Sequence, residues 1–186
     1  MLKSSLQKKF TALPTVETPR LRLRRILVTD AREMFDYSAR EDVTRYLLWS
    51  PHPDLAYTEG YVRYLQERYE VGDFFDFAVV EKATGRMIGT CGFTDLSPEN
   101  RSFEVGYVLH PSFWGKGYAT EALGAVLELG KKFGFHRAEA RFMPQNQASI
   151  RVAEKNGFFA EGVLKDAIFC KGAYRDIVVY GKILDR

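Results

Sequence analysis

One junction constrains this chain more than any other. Phe103, Val105, Tyr107 and Leu109 alternate as one face of a strand and His110-Pro111 closes it; Trp114-Gly115-Lys116-Gly117 follows, and Ala119, Ala122, Leu123 and Val126 then recur at helical spacing. A strand running through two glycines into a helix gathers backbone N–H groups and the positive helix end at one spot, and glycine lets an anion come close. Physically that is a pyrophosphate site. A G-x-G turn alone is also the signature of a loop with no ligand, so the neighbours decide.

Two nucleotide readings meet obstacles. No Gly-Lys-Ser or Gly-Lys-Thr closes the loop, because Lys116 is followed by Gly117, and this removes a P-loop. Glu139 lies where a ribose-binding acid of a dinucleotide fold would be expected, yet Thr120 occupies the third glycine position and no second mononucleotide-binding half follows.

Around this junction the pattern gives one domain over residues 17–186 behind an N-terminal arm, 1–16. Arg20 to Ile26 alternates, with Leu21 and Leu23 inward and Arg20, Arg22 and Arg24 outward on a solvated face. Asp30 with Glu33 reads as a helix N-cap and its partner, opening a helix to about Arg40. The stripe Tyr61, Val62, Leu65 and Tyr69 marks a second helix ending near Gly72. Phe75, Phe77 and Val79 then form a strand, and Thr84-Gly85 turns it into a partner from Met87 to Phe93. Beyond the junction, Lys131, Lys132 and Gly134 end the third helix, and Arg137 to Met143 reads as a strand. Asn146 caps a fourth helix that stops at Asn156-Gly157, and two strands complete the chain.

Composition narrows the classes. Lys and Arg number 27 against 24 Asp and Glu, a net charge of +3, too small an excess to argue for nucleic acid. No apolar run reaches the length of a membrane span or a signal peptide, so the expectation is a soluble, cytoplasmic protein. Cys91 and Cys170 lack the spacing of a disulfide framework or a zinc site, and His52, His110 and His136 are too scattered for a metal cluster.

The segment from Glu104 to Ala122, EVGYVLHPSFWGKGYATEA, followed by NQASIRVAEKNGF from Asn146 to Phe158, resembles the GNAT acetyltransferase superfamily. Thr18-Pro-Arg-Leu-Arg-Leu-Arg24 is similar to the opening strand of its RimJ/RimL branch of ribosomal-protein N-acetyltransferases. The resemblance implies a three-layer α/β/α, α+β fold: a mixed, mostly antiparallel seven-stranded sheet, splayed between the fourth and fifth strands, with four helices. It implies acetyl-CoA as cofactor, its pantetheine along the strand edge near Val108 and Leu109. The pyrophosphate would rest on the amides of Trp114, Gly115, Lys116, Gly117, Tyr118, Ala119 and Thr120. Asn146 and Ser149 match an Asn-x-x-Ser motif facing the pantetheine and thiol. Ser112 stands where the family's loop begins with Arg or Gln, a departure that touches one side-chain contact.

Acetyl transfer needs a neutral amine, a donor for the oxyanion and a proton for the thiolate. The resemblance offers Glu104 as a base working through water, the Leu109 N–H as oxyanion donor and Ser149 as the group that protonates or holds the thiol. At about 3.3 Å per residue, the backbone of Glu104 lies roughly 17 Å from Leu109, too far for direct abstraction. Ion pairing on the strand is the other reading of Glu104, and capping of the helix that begins at Asn146 is the other reading of Ser149. An α-amine, with a pKa of about 8, leans on a base less than lysine at about 10.4. The expected acceptor is therefore a protein or peptide N-terminus, with a small-molecule amine or a non-catalytic acyl-CoA sensor as alternatives. The sequence leaves a homodimer open.

Overall fold

The computed structural model describes residues 13–72 and 75–185. Eight strands form one sheet: β1 (Val16–Glu17), β2 (Leu21–Arg24), β3 (Phe75–Glu81), β4 (Met87–Ser97), β5 (Ser102–Leu109), β6 (Arg137–Phe142), β7 (Phe159–Cys170) and β8 (Ala173–Ile183). Their order is β1-β2-β3-β4-β5-β6-β8-β7, and every neighbouring pair is antiparallel except β5 and β6. The α-helices are α1 (Ala31–Ser38), α2 (Glu41–Thr44), α3 (Leu55–Val71), α4 (Tyr118–Phe133) and α5 (Gln147–Lys155).

Two counts differ from expectation. The eighth strand is β1, whose two residues are too few to show alternation; Val16 pairs with Leu23 inside the stretch expected as an arm, and Leu13 is buried. The fifth helix is α2, a single turn too short for a periodic signal. Most of the expected arm, residues 1–12, lies outside the described residues.

The parallel pair decides the architecture. β5 and β6 pair only at Ser102↔Arg137, Phe103↔Ala138 and Glu104↔Glu139. Beyond Glu104 the strands part, so Val105 to Leu109 keep β4 on one side and lack a strand on the other. A crossover helix is needed between parallel strands, and α4 is that helix. It packs on β2, β4 and β5, and a Cβ at Gly130 would lie 2.6 Å from the Phe103 ring, so the glycine lets helix and strand approach. α1 packs on β4 from the other face, where Tyr37 bonds Thr90.

Local signals hold at most helix ends. Gly72 and Gly134 cap α3 and α4 at φ of 76° and 90°, and Asp54 starts α3 by accepting from the Tyr57 N–H at 2.7 Å. Asp30 differs from its expected capping role. Its carboxylate takes both guanidinium nitrogens of Arg24, at 2.6 and 2.8 Å, and the Leu27 N–H at 2.7 Å; a charged bidentate pair outcompetes a cap.

Candidate active site

The open stretch of β5 has a definite polarity. The His110 N–H donates to the Ile88 carbonyl at 2.8 Å across the register pair Gly89↔Leu109, which makes that pair a non-hydrogen-bonded one. By alternation, Val108 turns its backbone groups to Thr90, while Tyr107 and Leu109 turn theirs to the open edge. The Leu109 carbonyl is taken by the Trp114 indole N–H at 2.7 Å, so the ring folds back over the strand end, while the Leu109 N–H faces the opening. Of the two expected strand residues, Leu109 presents backbone to the gap.

At the end of β5 the chain enters the glycine loop. Gly115 and Gly117 have φ of 72° and 80°, a region that L side chains rarely adopt, and Gly117 is the N-cap of α4 with no side chain capping the first turn. The amides of Tyr118, Ala119 and Thr120 therefore start the helix with their donors facing out of it, at its positive end. Trp114, Gly115, Lys116 and Gly117 are exposed.

Sequence reading missed what holds this loop. Arg20, assigned to a solvated strand face, donates to the Lys116 carbonyl at 2.9 Å, and its guanidinium lies 4.3 Å from the centre of the Tyr118 ring. It also pairs with Glu121 at 2.6 Å, and Glu121 accepts from the Thr18 hydroxyl at 2.6 Å and the Arg20 N–H at 2.9 Å. An acid in the first turn of α4 would oppose an anion there, and Arg20 offsets it. Tyr118 donates to Glu81 at 2.5 Å. Nothing in the spacing of residues 101 positions apart could have found the Arg20–Glu121 pair.

Across the opening, α5 completes the site. Asn146 caps it, its side-chain oxygen accepting from the Ser149 N–H at 3.3 Å, so the cap is Asn146 and Ser149 contributes backbone. The Ser149 carbonyl accepts from the Tyr107 hydroxyl at 2.6 Å, fastening the first turn of α5 to β5 across the splay. Asn156 at the far end of α5 donates to the Thr120 carbonyl at 3.2 Å, tying the two helices together. Two hydrogen bonds thus hold α5 beside the open edge of β5, through Tyr107 and Ser149, and beside the first turn of α4, through Asn156 and Thr120.

Glu104 sits where the strands part, on the face opposite α4. Its carboxylate pairs with Arg141 at 3.3 Å, and burial pushes it above the usual carboxylate range while Arg141 opposes the shift. His52, His110 and His136 make local contacts, with Thr58, Ser112 and Asp185, and no group of three metal-ligating side chains occurs among the described residues. Cys91 and Cys170 are free thiols, both buried. No helix among the described residues is long and apolar enough to cross a membrane.

A strand with one open edge, a glycine loop at a helix N-terminus and a second helix across the gap define a class, and comparison with known proteins gives it a name. A model described as an acetyltransferase (GNAT) domain matches residues 20–159. The chain belongs to the GNAT acetyltransferase family and is an N-acetyltransferase; GNAT enzymes use acetyl-CoA. It is 31% identical over 169 residues to the uncharacterized N-acetyltransferase p20 of Bacillus licheniformis, covering 90% of this chain and 95% of that one. To the ribosomal-protein-serine acetyltransferase of Escherichia coli it is 36% identical over 100 residues, 53% of this chain and 56% of the other. A GNAT acetyltransferase structure from Bacillus anthracis superposes with a TM-score of 0.83 at 27% identity, covering 93% and 100%. RimL, a ribosomal L7/L12 α-N-protein acetyltransferase solved with coenzyme A, gives a TM-score of 0.80 at 24%, covering 92% and 99%, a likeness of fold. The relatives are consistent with the RimJ/RimL branch.

Proposed function

We propose that this enzyme transfers the acetyl group of acetyl-CoA by direct attack to the α-amine of a protein or peptide N-terminus. The observation that carries the reading is the unpaired stretch of β5 leading straight into the Gly115 and Gly117 loop. The pantetheine would run along the open edge beside Val108 and Leu109, its amides taking the backbone groups of Tyr107, and the pyrophosphate would take the amides from Trp114 to Thr120. The Leu109 N–H, aimed at the gap, would meet the developing oxyanion. Asn146 and Ser149 would face the thiol, with the Ser149 hydroxyl placed to return a proton to it. The named activities of the E. coli and RimL relatives, both on ribosomal proteins, support a protein amine over a small one.

Calorimetric titration with acetyl-CoA, with NAD as control, tests the cofactor. Acetyl-CoA binding without a response to NAD supports the loop assignment, and NAD binding alone overturns it. Release of CoA thiol is then followed with a hexapeptide amide beginning with serine and with serinamide. Turnover of the peptide over serinamide supports the acceptor reading, and the reverse moves it to small amines. Release with neither, despite binding, leaves the acyl-CoA sensor.

A further inference from the structure

On that acetyltransferase reading, Ser149 serves the thiol from the first turn of α5, and that turn has to be held at the open edge of β5. Backbone pairing does not hold it, because β5 and β6 part after Glu104↔Glu139. Side chains on the face that carries α5 do. Tyr107 of β5, Phe142 of β6 and Tyr180 of β8 form a row of rings across the splay, with centroids 6.3 Å apart from Tyr107 to Phe142 and 5.8 Å apart from Phe142 to Tyr180. Tilted and edge-to-face contacts at these spacings are favourable, so the row spans on one face what the strand ladder leaves open. Ile150 and Ala153 of α5 are buried in the same core as Phe142 and Tyr180.

Both outer rings carry hydroxyls, and both hydroxyls reach α5. Tyr107 donates to the Ser149 carbonyl at 2.6 Å in the first turn, and Tyr180 donates to the Glu154 carboxylate at 3.3 Å in the last. The bond from Tyr180 ends on a flexible side chain, whereas the bond from Tyr107 ends on backbone. A carbonyl has two lone pairs, so the Ser149 oxygen takes the hydroxyl without leaving the helix ladder. On its other side Ser149 donates its N–H to the Asn146 side-chain oxygen at 3.3 Å. Both backbone groups of Ser149 are thus held by side chains, and its hydroxyl keeps only its own χ1 rotation.

Tyr107 belongs to the stretch of β5 whose edge lacks a strand, two residues from Leu109. The strand that lines the gap therefore also fixes the serine across it. Burial, with the Cys91 thiol beside it, pushes the Tyr107 hydroxyl above its ordinary range, so the tyrosine keeps its proton and remains a donor to Ser149.

We propose that Tyr107 is a positioning residue for acetyl transfer: through the Ser149 carbonyl it holds the Ser149 hydroxyl against the leaving sulfur. The lone pair of the neutral amine bonds the thioester carbonyl carbon, and the C–S bond breaks with its electrons on sulfur. Ser149 gives its hydroxyl proton to that sulfur and regains one from the nitrogen, which sheds it as the amide forms, so amide and CoA thiol leave. Tyr107 exchanges no proton and touches none of the reacting atoms, so its effect falls on kcat and not on the binding of acetyl-CoA.

A double-variant cycle of Tyr107→Phe and Ser149→Ala tests this. It reads kcat, the KM for acetyl-CoA and calorimetric acetyl-CoA affinity, with the serine-initiated peptide or serinamide as acceptor, whichever the wild type turns over. Tyr107→Phe keeps the ring beside Phe142 and should lower kcat about 10-fold or more with acetyl-CoA affinity retained. Ser149→Ala should lower kcat about 100-fold or more. The double variant should be no slower than Ser149→Ala alone, because the hydroxyl through which Tyr107 acts is gone. Tyr107→Met, also without a hydroxyl, repeats the cycle should the phenylalanine variant not fold. Losses that multiply in the double variant, an unchanged kcat in Tyr107→Phe, or a loss confined to KM or to acetyl-CoA affinity overturn the assignment while the acetyltransferase reading stands. Full kcat in Ser149→Ala removes Ser149 and Tyr107 from the mechanism together. Absence of wild-type turnover with both acceptors removes the acetyltransferase reading and this one with it.

Discussion

Arg20, Glu121, Lys116 and Tyr118 at the head of α4, and Asp76, Tyr37 and Tyr61 across the sheet, are two polar regions built by opposite means. In the first, the Arg20–Glu121 ion pair and a guanidinium-to-carbonyl bond hold the backbone of a loop in place, and the side chains offer little chemistry of their own. In the second, a carboxylate stands without a cation beneath tyrosines whose hydroxyls resist ionisation, that of Tyr61 up to about 12. Binding an invariant anion asks for fixed amides, and paired charges fix them. Asp76 is left without an opposing charge, so burial raises its carboxyl and its proton is held more tightly, which a paired cation would prevent.

The largest effect that separates the regions is on stability. Burial pushes the Asp76 carboxyl up to about 7, from about 3.9 for an aspartate in the unfolded chain. Below about pH 4 both states are protonated and the group contributes nothing. As pH rises from about 4 to 7 the unfolded chain releases a proton the folded chain keeps, so stability falls, and above 7 the full cost stands. At about 1.4 kcal/mol per pKa unit the cost is at most about 4 kcal/mol. Denaturant titrations of Asp76→Asn should therefore show a stability difference from wild type that grows in the variant's favour between pH 4 and 8. A pH-independent difference would mean that Asp76 is ordinarily ionised, and the contrast between the two regions would collapse.

On the loop side, Gly117→Val forces a β-branched residue to a φ of 80°, with the Arg20 guanidinium 3.4 Å from the new Cβ. Strain of about 1–3 kcal/mol, relieved by turning the amides, should weaken acetyl-CoA binding roughly 10- to 100-fold in calorimetry. The pH-dependent stability of Asp76 should be untouched. Full affinity in a folded variant would place the phosphate site elsewhere.

How far the sequence revealed these regions follows from the range of each signal. Glycines at positive φ and helical spacing are local, so the loop, the ends of α3 and α4 and the Asn146 cap could be read directly. The splay depends on where a parallel pair stops, at Glu104↔Glu139, and only the family resemblance foretold it. Asp76 was hidden by the alternation of Phe75, Phe77 and Val79, which marks the intervening residues as outward. In a sheet covered on both faces, outward on one side is still inward, and α1 and α3 bury Asp76 Oδ1. The two-residue β1 and one-turn α2 were too short for any period to show.

The smallest effect concerns Arg20, which alternation assigned to solvent and the structure assigns to the loop. Arg20→Ala removes the bond to the Lys116 carbonyl and leaves Glu121 uncompensated in the first turn of α4. Its side chain is 45% exposed, so screening limits the loss to that of a surface pair, about threefold to tenfold in acetyl-CoA affinity. The sign is the informative part. If Arg20 only fills a solvated strand face, affinity is unaltered; if it offsets Glu121, adding Glu121→Gln to Arg20→Ala should recover part of the loss, because the acid opposing the phosphates is gone. Recovery in the double variant would show that an ion pair, rather than the arginine's own positive charge, prepares this helix end for an anion.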